Sequence, residues 1–236
     1  MLIAAFPAGM FQTNCYVVAD DEGGEAVVVD PGQDSAPRVR EILAEHSLTP
    51  VAIFLTHGHL DHTWNAQELA DEFSIPAYIH AGDRPMLANP GEGLGKALAT
   101  MIGSLEFKEP EKVLEFVDGE DVEIAGRRWR VDHAPGHSPG SVLLTIDVDD
   151  PAGSGETFEV CFAGDVLFQG SIGRTDLPGG DHRQLLDSIS ARLLGRADET
   201  LILPGHGPQT TIGAERAANP FLADAGNGDK KGRFGL

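Results

Sequence analysis

Short apolar runs separated by polar turns recur along the whole chain, and they predict two groups of β-strands. The first group covers 2–6, 15–18, 26–29, 51–55 and 77–79, and the second covers 113–117, 121–125, 127–133, 141–148, 157–163 and 200–203. An acidic, glycine-containing segment at 20–24 predicts a hairpin between the second and third strands.

Segments with apolar residues three and four positions apart lie between these strands and predict helices. We expect one from a cap at Asp34 or Ser35 to about 46, and others over 63–73, 182–194 and 213–218. The region 89–104 is rich in glycine and small residues and predicts a loop with a weak helix. Strands followed by helices in both halves indicate an α/β domain over 1–221, with sheets inside and helices outside, and a flexible tail over 222–236.

Composition narrows the class of protein. The chain has 236 residues, 41% hydrophobic and 23% charged, as is usual for a globular protein with its own core. Its formal net charge of −20 makes nucleic acid and anionic lipid poor partners. The sequence contains neither an apolar run long enough to span a membrane nor a secretory signal, so we expect a cytoplasmic protein. Cys15 and Cys161 lie in separate apolar runs and are expected to be reduced and buried.

The highest density of potential metal ligands occurs in HGHLDH at 57–62, which holds three of the nine histidines. This segment comes just after the apolar run 51–55. Histidine is a favoured ligand of zinc and similar ions. Residues two apart in an extended chain point to one side, so His57 and His59 can share one ion. Asp61 and His62 follow as the chain turns into a helix, where they can reach a second ion. Plain turn and cap residues are the alternative interpretation.

The same order of an apolar strand, small residues and a potential ligand recurs three times. It appears in VDHAPGH at 131–137, VCFAGD at 160–165 and LILPGH at 201–206. Each motif alone is weak evidence, because a histidine after glycine is commonly a turn residue. Together with the first cluster they supply seven potential ligands at strand ends, and this predicts a metal site.

These motifs resemble those of metallo-β-lactamase-fold hydrolases. The resemblance rests on HGHLDH at 57–62, PGH at 135–137, AGD at 163–165 and PGH at 204–206, with Asp30 in VVVDPG matching an early family aspartate. The segments GDVLFQGSIGRTDLPGGD at 164–181 and PGHGPQTTIGAERAANPF at 204–221 are similar to those of small, single-domain glyoxalase II-like (hydroxyacylglutathione hydrolase-like) bacterial hydrolases.

The resemblance implies a four-layer αββα sandwich with two divalent metal ions at one edge, between the sheets. Zinc is the expected metal, and iron or manganese could take its place. By the same resemblance, the first ion would be held by His57, His59 and His137, the second by Asp61, His62 and His206, and both by Asp165. Asp61 would also orient the attacking hydroxide, which makes it the expected catalytic residue. Asp30 would fix the tautomer of a ligand histidine, with a plain turn as its alternative role.

The function expected from the resemblance is hydrolysis of S-(2-hydroxyacyl) thioesters of a small thiol such as glutathione. A thiolate leaves without a general acid, and the sequence offers no obvious extra acid. Only 30 residues follow His206, fewer than the helical domain that binds glutathione in two-domain relatives, so a different small thiol could serve. An iron-dependent persulfide dioxygenase and a non-thioester hydrolase of the same fold are the competing functions. Arg174 and Asp176 either contact substrate or pair with each other, and we expect a structural role for His133.

Overall fold

A computed structural model of the chain describes residues 1–95, 100, 105–149 and 155–222. Its first sheet has six strands in the spatial order β1-β2-β3-β4-β5-β6. They span Leu2–Ala8 (β1), Thr13–Ala19 (β2), Glu25–Val29 (β3), Thr49–Phe54 (β4), Ala77–His80 (β5) and Val113–Phe116 (β6). The strands β1 to β3 are antiparallel, which includes the predicted hairpin, and β3 to β6 run parallel. Parallel pairing brings the segments that follow β3, β4 and β5 to the same edge of the sheet.

The second sheet has the spatial order β14-β13-β10-β9-β8-β7. Its strands span Asp121–Ile124 (β7), Arg127–His133 (β8), Val142–Asp149 (β9), Thr157–Gly164 (β10), Leu201–Pro204 (β13) and Thr210–Thr211 (β14). A separate two-stranded hairpin joins Leu167–Phe168 (β11) to Ser171–Ile172 (β12). Because β8 and β10 are both antiparallel to β9, and β13 is parallel to β10, the segments after β8, β10 and β13 also share one edge.

Six α-helices lie within the described ranges. They span Ala36–Glu45 (α1), Leu60–Thr63 (α2), Ala66–Phe73 (α3), Pro85–Ala88 (α4), His182–Arg192 (α5) and Ile212–Ala218 (α6). Ser35 is the N-cap residue of α1, but its hydroxyl donates to Gly32 O rather than capping the helix. None of these helices has both the length and the apolar character that crossing a membrane requires.

Three apolar layers hold the sandwich together. Large side chains fill the space between the sheets, where Phe54 of the first sheet meets Trp129 of the second with ring centroids 5.0 Å apart. The helices α1 and α3 cover the outer face of the first sheet, and α5 and α6 cover that of the second. Burial of this apolar surface is the main stabilising contribution to such a fold. The predicted α/β class and the αββα layers are confirmed.

Some sequence predictions differ from the structure in their bounds. The single helix expected over 63–73 is two helices, α2 and α3, because Trp64 and Asn65 interrupt it. Asn65 turns back toward α1, where its Oδ1 accepts from Ser35 N and its own N–H donates to Pro31 O. Within the loop expected over 89–104, Pro90–Gly93 form a 3-10 helix, while 96–99 and 101–104 lie outside the described residues, as does the tail from 223 onward.

Candidate metal centre

The adjoining edges of the two sheets bring the seven predicted side chains to one place. The segments after β4 and β8 carry His57, His59 and His137, which form the first half-site. The second half-site consists of Asp61 and His62, which lie in α2, and His206, which follows β13. In each group one ligand-type atom per residue lies within 4.8 Å of the others, as it does for His57, His62 and Asp165.

Imidazole nitrogens face each other across both half-sites. In the first, His57 Nε2 lies 3.2 Å from His137 Nε2, and the rings of His59 and His137 are 4.5 Å apart by their centroids. In the second, His62 Nε2 lies 3.3 Å from His206 Nε2. The Oδ2 atom of Asp61 is 3.2 Å from His206 Nε2 and 3.5 Å from His62 Nε2.

Asp165 lies between the half-sites. Its Oδ2 is 3.6 Å from the Nε2 atoms of both His137 and His206, and its Oδ1 is 3.4 Å from His62 Nε2. One carboxylate therefore approaches histidines of both groups. Gly164, at the end of β10, has a φ of 47° in the left-handed region and follows a shift in strand register, which turns the Asp165 side chain out of the sheet.

Oxygen atoms behind the rings fix the histidine orientations. The Nδ1 atoms of His137 and His206 lie 2.8 Å from Arg174 O and 3.1 Å from Phe11 O. A carbonyl oxygen only accepts, so both Nδ1 atoms carry the proton. Thr56 Oγ1 donates its hydrogen to Asp30, so at 3.2 Å it accepts from His57 Nδ1. With Nδ1 as the donor, Nε2 is the nitrogen of each ring that faces the centre and can bind a metal once it carries no proton.

Asp30 is a buried carboxylate beneath the centre, in a left-handed backbone conformation with φ 49°. Its Oδ1 accepts from Thr56 N at 2.8 Å, and its Oδ2 accepts from Thr56 Oγ1 at 2.6 Å. His62 Nδ1 lies 2.9 Å from the same Oδ2. The residue therefore does more than form a turn, because its side chain fixes His62 and, through Thr56, His57.

Burial and charge shift the pKa values of the buried histidines in opposite directions. Burial lowers the pKa of His57 well below its ordinary value and lowers the pKa of His59 to about 3. Burial alone would also lower the pKa of His62, but the carboxylates of Asp61, Asp165 and Asp30 outweigh it and raise that pKa well above the ordinary value. Before a metal binds, His57 and His59 of the first half-site are therefore neutral at neutral pH, whereas His62 of the second is protonated.

The donor set fits a pair of divalent cations. His59 Nε2 and Asp165 Oδ1 are buried and have no hydrogen-bond partner in the described part of the chain. Unpartnered buried polar atoms are costly, and lone pairs of neutral rings facing each other repel unless a cation lies between them. Imidazole and carboxylate are common ligands of zinc, iron and manganese.

The start of β2 contributes supports that the sequence analysis missed. Thr13 Oγ1 donates to Asp61 Oδ2 at 3.1 Å. Asn14 Nδ2 donates to Pro204 O and Gly207 O, each at 2.9 Å, and the Tyr16 hydroxyl donates to Pro204 O at 2.6 Å. These polar side chains at the start of an apolar strand hold the His206 loop of the other sheet. The run TNCY at 13–16, polar residues opening an apolar strand, is the sequence signal that could have indicated them.

Two further pairs take no part in the predicted ligand set. Arg174 Nε and Nη2 donate to the two carboxylate oxygens of Asp176 at 2.7 and 2.8 Å, so these exposed residues pair with each other. His133 stacks on His80 with centroids 4.0 Å apart, and its Nε2 donates to Pro139 O. These contacts agree with the structural role expected for His133.

The sequence profile described as the metallo-beta-lactamase superfamily matches residues 8–206. The chain belongs to the metallo-β-lactamase superfamily. An uncharacterised protein of Mycobacterium tuberculosis is 47% identical over 223 residues, which cover 94% of this chain and 98% of that protein. Hydroxyacylglutathione hydrolase GloC of Haemophilus influenzae is 35% identical over 223 residues, covering 94% and 98%.

Solved structures of the superfamily superpose on the chain over most of its length. BLEG-1, described as a B3 metallo-β-lactamase, has a TM-score of 0.79 at 40% identity and covers 94% of this chain and 100% of its own. TTHA1623, solved in a di-iron-bound form, has a TM-score of 0.73 at 36% identity, with coverage of 94% and 100%. The resemblance inferred from motifs is confirmed, and the protein is a metallo-β-lactamase-fold metallo-hydrolase with a histidine-rich centre that suits a metal pair.

Proposed function

We propose that this metallo-hydrolase is a dinuclear thioesterase that cleaves S-(2-hydroxyacyl) thioesters of a small thiol such as glutathione. The convergence of the two half-sites on Asp165 is the observation that carries the proposal. In it, the first half-site holds one ion, the second half-site holds the other, and Asp165 is shared. The similarity to hydroxyacylglutathione hydrolase GloC over 94% of the chain supports the substrate class.

The bound ions are proposed to be zinc, with iron and manganese as alternatives. Nitrogen and oxygen ligands suit all three metals. The di-iron form of TTHA1623, at 36% identity, supports a pair of ions and keeps iron as a specific alternative. Metal analysis of the purified chain distinguishes these metals directly.

Two bound divalent ions supply a nucleophilic hydroxide near neutral pH and a positive field for the developing oxyanion. The chain's part is to orient the reacting groups. Burial alone would raise the pKa of Asp61, but His62 and His206 outweigh it and lower that pKa, so the carboxylate stays ionised. Thr13 fixes one of its oxygens. Asp61 thus accepts a hydrogen bond from the attacking water and directs it toward the substrate carbonyl.

The leaving group favours a thioester. A thiolate has a pKa of about 8.5 and departs unprotonated, whereas an amine must receive a proton as it leaves. Tyrosine is a common proton donor, yet the hydroxyl of Tyr16 donates to Pro204 O and Tyr78 packs against Phe54. The histidines of the two half-sites are proposed metal ligands, so they are not free to donate a proton to the leaving group. The described residues therefore supply no evident acid for an amine.

Hydrolysis of β-lactams is the second candidate, because BLEG-1 is 40% identical over 94% of the chain and is described as a B3 metallo-β-lactamase. A persulfide dioxygenase, which uses one iron, is less consistent with the ligand set, since Asp61, His62 and His206 form a complete second group. Cytoplasmic location and the absence of nucleic-acid and membrane partners stay predictions from charge and composition.

The test is a matched substrate series with purified, metal-loaded protein. It compares a 2-hydroxyacyl thioester, the amide of the same acid, a β-lactam and a persulfide under identical conditions. A missing general acid costs roughly 10²- to 10⁴-fold, so we expect kcat/KM for the thioester to exceed that for the amide by at least ~10²-fold. The His206→Ala variant controls for contaminating activity. Equal or faster cleavage of the amide or the β-lactam overturns the thioesterase proposal.

A further inference from the structure

Asp83 is a fully buried carboxylate in the turn between β5 and α4, behind the first half-site. Its Oδ2 accepts from Gly58 N at 2.8 Å and from Ser138 Oγ at 2.6 Å. Its Oδ1 accepts from Gly140 N at 2.6 Å. Three hydrogen bonds from donor groups therefore meet on the two oxygens of one side chain.

These donors belong to the two loops that carry the first half-site. Gly58 lies between His57 and His59, and Ser138 directly follows His137. Along the chain, Asp83 is 25 residues from Gly58 and 55 residues from Ser138. Asp83 therefore joins a loop of the first sheet to a loop of the second, at the point where their histidines face each other.

The glycines beside Asp83 fit this contact. A Cβ atom at Gly58 would lie 2.8 Å from Asp83 Cβ, and one at Gly140 would lie 2.7 Å from Asp83 Cγ. Both distances are too short for real side chains, so any larger residue would push the carboxylate away. Gly58 in HGH and Gly140 in PGHSPG therefore allow Asp83 to approach both loops closely.

Asp83 does not reach the centre itself. Its oxygens face backbone N–H groups and a hydroxyl, and it belongs to none of the ligand groups found among the described residues. Asp30 differs, because it contacts the ring of His62 directly. Two buried carboxylates thus lie behind the centre, one acting on a ligand ring and the other on the loops that bear ligands.

We propose that Asp83 is a positioning residue that sets the spacing of His57 and His59 relative to His137, and so the metal affinity of the first half-site. The inference rests on the proposed ligand assignment. In the Asp83→Asn variant one oxygen becomes an NH₂ group, which faces an N–H or O–H donor and cannot accept from it. The two loops then lose a shared anchor and the three Nε2 atoms no longer converge as closely. The second half-site, which Asp30 and the start of β2 support, keeps its geometry.

The experiment measures Zn²⁺ binding by metal-free protein, using calorimetric titration, in two backgrounds. The His206→Ala background retains the first half-site, and the His59→Ala background retains the second. Adding Asp83→Asn lowers zinc affinity by about 10- to 100-fold in the first background, the range for groups that orient metal ligands. It changes affinity by less than ~3-fold in the second background. Ser138→Ala, which removes one of the three donors, gives a smaller loss in the first background only.

Controls separate positioning from general loss of structure. Thr145→Val removes another buried hydroxyl, whose partner is Arg196, and leaves zinc affinity unchanged in both backgrounds. Far-UV circular dichroism checks folding, and if Asp83→Asn does not fold, Ser138→Ala decides alone. Unchanged affinity in the His206→Ala background, equal losses in both backgrounds, or no zinc binding by His206→Ala overturns the role of Asp83. Fewer than two ions on the native chain would instead refute the dinuclear proposal, while the comparison in the His206→Ala background still decides the role of Asp83.

Discussion

Gly205 packs directly against the carboxylate of Asp165. A Cβ atom at position 205 would overlap Asp165 Oδ1 and lie 2.6 Å from His62 Cε1. Position 205, in the second PGH motif, therefore needs glycine because Asp165 and His62 leave no space for a side chain, and not because of its backbone conformation.

Replacing Gly205 with Ala displaces Asp165 and His62 together. We expect the purified variant to retain less than one of the two proposed ions per chain, as measured by metal analysis after gel filtration. Gly195→Ala is the matched control, because a Cβ atom there has nothing within 4 Å. A full metal complement in Gly205→Ala would show that the centre tolerates a shift of its shared carboxylate.

The Asp165→Ala variant tests whether the carboxylate of Asp165 binds both proposed ions. Because one carboxylate approaches His137 and His206 equally, at 3.6 Å, its loss lowers occupancy of both ions. His59→Ala, which removes a ligand of the first half-site only, leaves the second ion bound. Metal analysis of both variants beside the native chain gives the comparison, and retention of two ions by Asp165→Ala would exclude the bridging role.

Asp61→Asn keeps the size of the side chain and removes the charge that orients the attacking water. We expect turnover of the thioester to fall by at least ~10²-fold, as for the loss of one preorganised electrostatic group. Thr13→Val, which removes the hydroxyl that donates to Asp61, gives a smaller fall with unchanged metal content. Steady-state kinetics with metal analysis on the same samples is the measurement. Normal turnover by Asp61→Asn at normal metal content would remove this residue from the mechanism.

The half-sites should differ in proton release when they bind metal. At neutral pH, His57 and His59 are already neutral, because burial lowers both pKa values. His62 has a raised pKa and carries a proton that a metal must displace, since only neutral imidazole binds a metal. The affinity of the second half-site therefore rises with pH until the pH passes the raised pKa of His62, whereas His57 and His59 add no such dependence to the first half-site around neutrality.

Calorimetric titration in two buffers of different ionisation enthalpy measures these protons. We expect at least one proton released per Zn²⁺ by the His59→Ala variant, which retains the second half-site. The His206→Ala variant should release fewer, because His57 and His59 have no proton to lose. Equal release by the two variants would contradict the difference in protonation.

The seven centre residues could be predicted because their signal is local. Each follows a recognisable apolar strand within a few residues, and four of them lie in the six positions 57–62. Strands that run in the same direction then bring these residues to the same edge of each sheet. The pattern of an apolar strand followed by a ligand residue therefore predicts both the fold class and the centre. The family resemblance supplied the division into two half-sites.

Apart from Asp30, which the family resemblance indicated, the supports behind the centre could not be predicted, since each depends on contacts between distant parts of the chain. The hydrogen bond from Tyr16 to Pro204 spans 188 positions, and that from Ser138 to Asp83 spans 55. Arg174 acts on His137 through its carbonyl oxygen, which no side-chain pattern reveals. The break between α2 and α3 has the same origin, because Asn65 bonds to Pro31 and Ser35 in preference to continuing a helix.

The division of the ligands between the two sheets has a consequence for folding. His57 to His62 come from the first half of the chain, whereas His137, Asp165 and His206 come from the second. With the ligand set proposed above, the ions are removable cross-links between two halves that would otherwise be joined by apolar packing and hydrogen bonds. A ligand that binds only the native state stabilises it by about 4 kcal/mol when its free concentration is about 1,000 times Kd. Bound metal would therefore add to the free energy of unfolding of the whole chain, in addition to its part in the reaction.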